Sequence, residues 1–590
     1  MTVARNQAAR PPVGGLARII VPATMLAAGW FTPILSASLW SSTDWSPNET
    51  LASVIDTWSN LLTPENIAGS GMSGHAFGIT VIALLVLIAA AGLTVAAVLR
   101  RRSIARSRGL AHGAELVPFS AKAMVRRSKV ILGEHDKNPA RSGVRLGVES
   151  YSKREIWIPK ESTLLVLAPP RSGKTSGTVA PAVVAHDGPV VATGVRDDIM
   201  MWTHPWRRHT GGPMWLCEPM REPGRPLPDG VRAVRWSPLL GCTDMVTAKL
   251  RAEALFAALQ DGGPNDTFWR NNGQALLSSY LLAAALQDAT MADVLRWADR
   301  DTDASPVEAI RNVAAGLEPG LDQAALMSIA AQLEAAIGQD PRYKAGVTGQ
   351  VLQALEPFRL PRVQEMCNVP IAESFDPTDF VTTRGTIWML GSDSQQRQSA
   401  GVCTALTSAL AEAARDAARR SAHGRLRPPM LLALDEAVNV APIPRLDSLL
   451  STGGGSGLQT IVVLQSMAAA RNAWGKEMGD ALLDFNNAKL VLGGLSDAQD
   501  LNDLSSLLGQ REEVTTQVSR DGRIGILEMG DHSYSWRQVP VMRPDEIRAL
   551  RSEDKGEALL IARSARGILL RQPRIFEMKP PTTPPGGSPQ

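Results

Sequence analysis

Two long apolar runs without a charged side chain dominate the first hundred residues. They cover 19–39 and 79–99. At a helical rise of ~1.5 Å per residue, each run is long enough to cross the roughly 30 Å hydrocarbon core of a bilayer. The segment between them, 40–78, carries acidic residues but no lysine or arginine, whereas the N-terminus 1–18 and the stretch 100–108 are basic. Because positive residues stay on the cytoplasmic side, the pattern predicts a two-helix transmembrane hairpin with both termini in the cytoplasm and 40–78 outside.

The pattern changes after the hairpin. Residues 100–150 are expected to form a basic juxtamembrane linker, and 151–244 the first part of an α/β domain. In that part, apolar runs of strand length alternate with helical or loop stretches, as in a parallel sheet. The runs are Leu164–Leu167, Pro189–Ala192 and Met214–Leu216. The polar segment Thr193–Asp198 follows the second run, at the edge of the sheet where ligands usually bind.

A composition rich in Ala, Leu and Gln then marks residues 245–368, which we interpret as an all-helical insertion. The segments in which helical periodicity is clearest are Ala248–Leu259, Gly273–Gln287 and Leu321–Ile337. The α/β pattern resumes over 369–579, first with a strand at Gly385–Leu390 and then with a long helix at about Ala400–Arg420. Residues 580–590 are rich in Pro, Gly and Thr and are expected to be a disordered tail.

Composition and charge narrow the class of protein. The chain of 590 residues has room for about three or four domains of roughly 150 residues. Its net charge of +3 argues against a strongly basic DNA-coating protein but leaves open a translocase with positive charge in a pore. The four cysteines form no C-x-x-C pair and the eight histidines no H-x-x-x-H spacing. We therefore expect reduced thiols and no metal held by protein ligands alone.

The stretch Leu164–Ser176 is typical of a phosphate-binding loop, because an apolar strand runs into the sequence APPRSGKT and then into a helix-compatible segment. Backbone N–H groups around Gly173 can converge on a phosphate at a helix N-terminus. Lys174 would supply a point charge to the phosphates, and the Thr175 hydroxyl would ligate Mg²⁺. The predicted cofactor-binding residues are Arg171, Ser172, Gly173, Lys174, Thr175 and Ser176. The alternative interpretation is a strand–turn–helix corner with an ordinary surface lysine.

A second motif completes the predicted site. The apolar strand Pro429–Leu434 ends in Asp435 and Glu436, and in P-loop ATPases such a strand lies beside the loop strand. Asp435 would orient the Mg²⁺ shell through water, and Glu436 would polarise the attacking water as general base. Together the two motifs predict an ATPase that uses ATP and Mg²⁺, with Lys174 and Glu436 as catalytic residues.

The next strand, Thr460–Leu464, ends in Gln465 and Ser466. An amide at that strand end can sense the γ-phosphate or the attacking water, so Gln465 is the third predicted catalytic residue. The alternative is that Gln465 belongs to a solvated strand end.

With these motifs the chain resembles the TraG/TraD-type coupling proteins of type IV secretion and conjugation, over about 143–577. Besides the loop at 168–175, the segments that carry the resemblance are Ala180-Pro181, Trp236–Pro238, Leu434–Asn439, Ile443-Pro444, Gly457-Leu458, Gln465-Ser466 and Phe485–Gly493. The resemblance implies a RecA-like motor in the bacterial inner membrane that assembles as a homo-hexamer. It also implies partners: DNA, single-stranded or bound to a relaxase, together with the relaxase and the proteins of a secretion channel. The helical insertion would contact substrate.

The chain departs from the family pattern at two positions. Ala168 replaces the first glycine of the loop, which is tolerable if its φ angle is negative. Gly454 stands where the family often has an arginine after the Asp-Glu strand. If that arginine acts on a neighbour's γ-phosphate, its loss would slow turnover by ~10³–10⁵. Arg397 and Arg445 are candidate substitutes.

Two other functions remain open from the sequence. The motor could export protein alone, because motor motifs do not distinguish the polymer that is moved. The chain could also be a recruitment platform that binds ATP and hydrolyses it weakly, with Ala168 and Gly454 as marks of decay; the retained Glu436 argues against this. Salt dependence of cargo binding separates DNA from protein, since phosphate contacts weaken steeply with salt.

Overall fold

The computed structural model describes residues 86–92, 108–259, 264–391, 396–518 and 532–578. The chain divides into two compact units, one of 1–114 with 151–153 and one of 115–150 with 154–590.

In the first unit, residues 86–92 are helical. Among the described residues, no helix combines the length and the apolar character needed to span a bilayer. The predicted span 19–39 and the tail 580–590 lie outside the described residues, and the predicted span 79–99 is described only at 86–92.

The second unit is built on a mixed sheet that has twelve strands within the described residues. Its strands are β1 (Gly143–Glu149), β2 (Glu155–Pro159), β3 (Leu164–Leu167), β4 (Val190–Gly194), β5 (Met214–Cys217), β6 (Val231–Ala233), β7 (Thr386–Leu390), β8 (Met430–Leu434), β9 (Leu458–Leu464), β10 (Ala488–Leu492), β13 (Glu557–Ala562) and β14 (Ile568–Arg571). Their order across the sheet is β2-β1-β14-β13-β10-β3-β9-β8-β4-β7-β5-β6. A separate hairpin pairs β11 (Gln510–Val518) with β12 (His532–Pro540).

The strands from β10 to β6 run parallel, and this confirms the α/β pattern read from the apolar runs. β3, β7, β8, β9 and β10 are buried along their whole length. Continuous apolar sequences are needed there because helices cover both faces of a parallel sheet. The expectation of a purely parallel sheet was incomplete. β13, β14, β1 and β2 extend it by antiparallel pairing, and β1 lies inside the predicted linker 100–150.

The expectation that the Asp-Glu strand lies beside the loop strand was wrong. β9 pairs with β3 on one side and with β8 on the other, so it separates the two strands that carry the motifs. In register, Leu464 lies opposite Leu167, and Val462 lies opposite Leu434. Because the three strands are parallel, their carboxyl ends still meet at one edge of the sheet.

Helices cover the sheet and form the region that follows β6. In chain order they are α1 (Ala121–Leu132), α2 (Pro139–Ser142), α3 (Ala180–Ala185), α4 (Asp198–Arg207), α5 (Met245–Phe256), α6 (Pro264–Leu286), α7 (Met291–Asp299), α8 (Ser305–Ala315), α9 (Leu321–Ile337), α10 (Pro341–Leu355), α11 (Pro361–Cys367), α12 (Pro377–Val381), α13 (Gln396–Arg420), α14 (Ala437–Val440), α15 (Leu446–Ser456), α16 (Met467–Trp474), α17 (Lys476–Phe485), α18 (Ala498–Leu508), α19 (Pro544–Arg548) and α20 (Ser552–Lys555). The predicted helix Leu321–Ile337 coincides with α9, and the predicted long helix corresponds to α13.

The described residues between 245 and 368 contain helices but no strand. Long α6 packs against α5, α8 and α10, while α13 packs against α5. Buried side chains of these helices and of the sheet belong to one apolar cluster, which includes Leu277 and Trp297 as well as Leu165 and Val462. The helical region is therefore joined to the sheet through a common core rather than by a linker. The four cysteines are buried and free.

Candidate active site

The loop that follows β3 is shaped by two residues with positive φ angles, Arg171 at 62° and Gly173 at 83°. Such turns direct backbone N–H groups into an anion-binding concavity. Glycine adopts this conformation freely, whereas it strains an arginine. The side chain of Arg171 is exposed, and the buried hydroxyl of Ser172 donates a hydrogen bond to the Pro169 carbonyl at 2.7 Å. The loop therefore has a backbone shape suited to binding phosphate, and the Ser172 hydrogen bond supports this shape.

The loop accepts alanine at position 168, where the family pattern has glycine. The positive φ angles fall on Arg171 and Gly173 and not on Ala168. The alanine is fully buried, and its N–H donates to the Leu464 carbonyl at 2.9 Å. Alanine at this position is therefore compatible with the backbone hydrogen bond that anchors the loop to β9.

The helix after the loop begins with a π-helical turn, Thr175–Val179, which continues into α3. Such turns occur frequently at functional sites. The Gly177 N–H donates to the Gly173 carbonyl at 2.8 Å, and the buried Ser176 hydroxyl lies 3.3 Å from the same oxygen. Ser176 therefore fastens the start of the helix to the loop.

Two contacts join the loop to the carboxyl end of β8. The Lys174 Nζ lies 2.8 Å from the Glu436 Oε1, with both side chains largely buried. Beside this pair, the Thr175 hydroxyl donates a short hydrogen bond to the Asp435 Oδ2. The structure thus brings together the two sequence motifs, which lie 260 and 262 residues apart at these contacts.

Asp435 is the most strongly perturbed carboxyl of the site. Burial raises its pKa to about 6, against the opposing influence of the Lys174 charge and the Thr175 hydroxyl. Its backbone carbonyl accepts a hydrogen bond from the Thr193 hydroxyl at 2.8 Å. The Oδ1 is buried without a hydrogen-bond partner in the described part of the chain. A buried, unpartnered carboxylate oxygen is energetically unfavourable, and a hydrated cation at this position would satisfy it.

Glu436 is held in an unusual backbone conformation, with a φ angle of 52° at the start of α14. Strain of this kind is concentrated at functional sites. Its second oxygen lies 3.5 Å from the Asn439 Nδ2. At the start of α4, which follows the neighbouring strand β4, burial raises the pKa of Asp198, and the Glu436 charge contributes in the same direction. Three carboxylates therefore lie near the end of β8. Among the described residues, no three His, Cys, Asp or Glu side chains form a metal-binding group by themselves.

The other three predicted residues, Gln465, Arg397 and Arg445, differ in their positions. Gln465 directly follows β9, beside the start of the loop, where Ala168 bonds to Leu464. Arg397 belongs to α13, and its side chain lies outside the part that the structure describes. Arg445 points toward the helical region, where its Nε lies 3.0 Å from the Glu253 Oε2.

Gly454 has a structural reason to lack a side chain. A Cβ there would lie 2.1 Å from the Glu161 carbonyl oxygen. The carbonyl of Gly454 also accepts from the Arg425 Nη2 at 3.3 Å, and Arg425 forms an ion pair with Glu161 at 2.7 Å. Neither an arginine nor an alanine fits at this position in the present backbone.

Sequence reasoning missed a support of the loop that comes from the C-terminus of the domain. Arg574 and Gln572, after β14, donate hydrogen bonds to Gly173 and Gly177. The contact between Arg574 and Gly173 spans 401 residues, and no motif surrounds Arg574. Thr193 and Asp198 do belong to the polar segment that was expected at the ligand edge of the sheet.

Comparison with known proteins agrees with this architecture. The model of the family described as type IV secretory system conjugative DNA transfer matches residues 114–585. Comparison with curated protein sequences gave no match. Among solved structures, the chain is similar to the unbound form of a bacterial conjugative coupling protein, TrwBdeltaN70. The TM-score is 0.53 at 15% identity, over 79% of this chain and 96% of that one.

A second similar structure is the plasmid coupling protein TrwB in complex with ADP and Mg²⁺. Here the TM-score is 0.52 at 15% identity, over 81% of this chain and 98% of that one. At this identity the likeness establishes a shared fold.

Proposed function

The chain belongs to the type IV secretory system conjugative DNA transfer family, and we propose that it is an ATP-driven coupling protein that moves DNA toward a conjugative secretion channel. The observation that supports ATPase activity is a pair of contacts at the carboxyl edge of the sheet. Lys174 meets Glu436, and Thr175 meets Asp435. These contacts support the proposed roles, in which Lys174 would bind phosphate and Glu436 would act as general base. Thr175 and Asp435 would hold Mg²⁺, which completes the set of groups that phosphoryl transfer to water requires.

The residues present fit ATP with Mg²⁺. The concavity at Arg171 and Gly173 suits phosphate, and Lys174 stands at the helix start that follows it. Thr175 and the unpartnered oxygen of Asp435 provide oxygen ligands of the kind that Mg²⁺ prefers, directly or through water. When bound, the metal would neutralise phosphate charge; the remaining steps depend on the protein's own side chains.

We infer that the ion pair between Lys174 and Glu436 would control the proposed general base. In the present structure the Lys174 ammonium neutralises Glu436 at 2.8 Å. Phosphate groups would compete for the same ammonium, which would release the Glu436 carboxylate to accept a proton from water. Asn439, 3.5 Å away, is placed to hold the released side chain. Gln465 would sense the γ-phosphate from the end of β9.

A trans-acting cation would have to come from a position other than 454. Because Gly454 has no room for a side chain, that role falls to another position. Arg445 is exposed and pairs with Glu253 in α5, so it could exchange this partner for a neighbour's phosphate. Arg397 is the second candidate.

The wider setting follows from the sequence and the family. We place membrane helices at 19–39 and 79–99, with both termini in the cytoplasm. The ATPase domain comprises 151–244 and 369–579, and the helical domain 245–368. The assembly would be a homo-hexamer at the bacterial inner membrane. Its partners would be single-stranded or relaxase-bound DNA, the relaxase and the channel proteins.

The test measures ATP hydrolysis by purified full-length protein in detergent, with and without single-stranded DNA. We expect DNA to stimulate turnover, and Lys174→Ala and Glu436→Gln each to abolish it. Asp229→Asn, at a side chain that is 86% exposed, serves as a folded control that leaves the motif residues intact. DNA binding should weaken steeply with salt.

Equal hydrolysis with and without DNA, together with no DNA binding, would remove DNA from the proposal and favour export of protein. Absence of turnover in the wild-type protein despite ATP binding would favour the recruitment platform.

A further inference from the structure

Arg574 is a buried cation that lies directly behind the phosphate-binding loop. It follows β14 near the C-terminal end of the described residues and is only 7% exposed. Burial lowers the pKa of its guanidinium, and the charges of Glu577 and Glu553 only partly oppose this effect. A buried guanidinium is unfavourable unless hydrogen bonds and an opposite charge compensate it.

The hydrogen bonds of Arg574 go to the loop and to a neighbouring segment. Its Nη1 donates to the Gly173 carbonyl at 2.6 Å and lies 3.5 Å from the Ser176 hydroxyl. Its Nη2 donates to the Ser552 carbonyl and, at 3.3 Å, to that of Glu553. One planar guanidinium therefore clamps the loop to the start of α20, as the fork of five donors allows.

The position of the guanidinium also explains why residues 173 and 177 are glycine. A Cβ on Gly173 would lie 1.8 Å from the Arg574 Nη1, and one on Gly177 would lie 2.8 Å from the same atom. Both residues thus leave space for Arg574 against the backbone of the loop. Gln572 adds a second support, since its Nε2 donates to the Thr178 hydroxyl at 2.9 Å and to the Gly177 carbonyl at 3.3 Å.

The position of this charge relative to the loop decides its role. The Gly173 carbonyl that Arg574 binds belongs to the same trans peptide group as the Lys174 N–H, which therefore points away from Arg574. The proposed phosphate would lie on the side of that N–H. A cation bonded to that carbonyl orients and polarises the peptide groups of the loop, which strengthens their interaction with an anion. The phosphate would in turn add to the negative charge that Glu577 and Glu553 supply to the buried guanidinium.

We propose that Arg574 is a positioning residue for nucleotide binding, which holds the phosphate loop from behind and adds a buried positive charge to its field. The proposal rests on the ATP site proposed above and assigns to it a residue from the opposite end of the domain. Its effect should appear in nucleotide affinity more than in the rate at saturation, because Arg574 contacts the loop backbone and neither Glu436 nor Asp435.

The experiment compares three variants of the full-length protein in detergent. Arg574→Ala removes both charge and donors, Arg574→Lys keeps the charge, and Arg574→Gln keeps a donor without charge. Arg571→Ala, at an exposed position of β14, is the matched control. The measurements are the Kd for ADP by fluorescence competition, KM and kcat for ATP hydrolysis, and the thermal unfolding temperature of each variant.

We expect Arg574→Ala to raise Kd and KM by roughly ten- to a hundredfold, the range for loss of a charged hydrogen-bond donor. The value of kcat should remain within about threefold, and Arg571→Ala should match the wild type. Arg574→Lys should bind ADP more tightly than Arg574→Gln. If the alanine variant fails to fold, the comparison of lysine with glutamine carries the test.

Unchanged affinity in Arg574→Ala would overturn the proposal, as would equal or tighter ADP binding by the glutamine variant than by the lysine variant. ADP binding by Lys174→Ala shows whether such a result overturns only the role of Arg574 or also the proposed ATP site. If the wild type binds ADP and Lys174→Ala does not, the ATP site stands and only the role of Arg574 falls. If the wild type binds no nucleotide, both fall.

Discussion

Replacing Asp435 by asparagine should make the nucleotide-free protein more stable while it destroys the metal site. The carboxyl is fully buried and its pKa is raised from 3.8 to about 6. At ~1.36 kcal/mol per pKa unit, the ionised form costs the folded state about 3 kcal/mol above pH 7. Asparagine has the same shape, keeps an oxygen to accept from Thr175, and carries no charge.

The sign of the effect follows from the direction of the pKa shift. A carboxyl whose pKa is raised on folding destabilises the folded state above its folded pKa, and the destabilisation fades as pH falls toward 3.8. The advantage of Asp435→Asn should therefore be greatest near pH 8 and fall by about half near pH 5.

Thermal unfolding of the full-length wild type and Asp435→Asn, without nucleotide or Mg²⁺, measures this difference across the pH range. Asp229→Asn is the matched control, since that side chain is 86% exposed. Adding ADP with Mg²⁺ should raise the unfolding temperature of the wild type more than that of the variant. A variant less stable than the wild type at pH 8, or a difference that is the same at pH 5 and pH 8, would refute the reasoning.

Three further predictions concern single residues. Glu436→Gln should bind ATP at least as tightly as the wild type in an equilibrium binding assay, because the substitution frees Lys174 from its ion pair. Weaker ATP binding by the variant would contradict the proposed competition between Glu436 and phosphate for Lys174. Gly454→Ala should lower the unfolding temperature, because its Cβ would lie 2.1 Å from the Glu161 carbonyl oxygen. Gly455→Ala, whose Cβ would meet open space, should leave the unfolding temperature unchanged or raise it. Equal changes in the two variants would be inconsistent with the contact at Gly454. Burial holds the pKa of His186 well below 6.5, so this residue should destabilise the protein as pH falls below about 6.5. His186→Asn should flatten that part of the stability profile, and an unchanged profile would argue against it.

The elements that the sequence predicts best are those determined by local pattern. Continuous apolar runs located β3, β7, β8 and β9, because a strand buried on both faces requires apolar residues at every position. Both ends of α9 were predicted correctly, because its sequence is rich in Ala, Leu and Gln, which favour helix. The phosphate-loop motif and the Asp-Glu motif identified Lys174, Thr175, Asp435 and Glu436, which the structure brings into contact.

Features fixed by long-range contacts were not predictable in the same way. A buried strand has the same composition whichever strand lies beside it, so the insertion of β9 between β3 and β8 left no signal. The antiparallel additions at one side of the sheet join strands from both ends of the domain. The steric reason for Gly454 and the support by Arg574 depend on backbones that approach from distant parts of the chain.

A structure of the protein with ADP and Mg²⁺ is the most direct test of the nucleotide site. We predict phosphate oxygens at the N–H groups around Gly173, with the Lys174 Nζ bonded to phosphate and no longer within 2.8 Å of Glu436. Mg²⁺ should lie between Thr175 and Asp435, directly or through water. Nucleotide bound elsewhere, or bound while Lys174 keeps its contact with Glu436, would contradict the assignment of these residues to ATP hydrolysis.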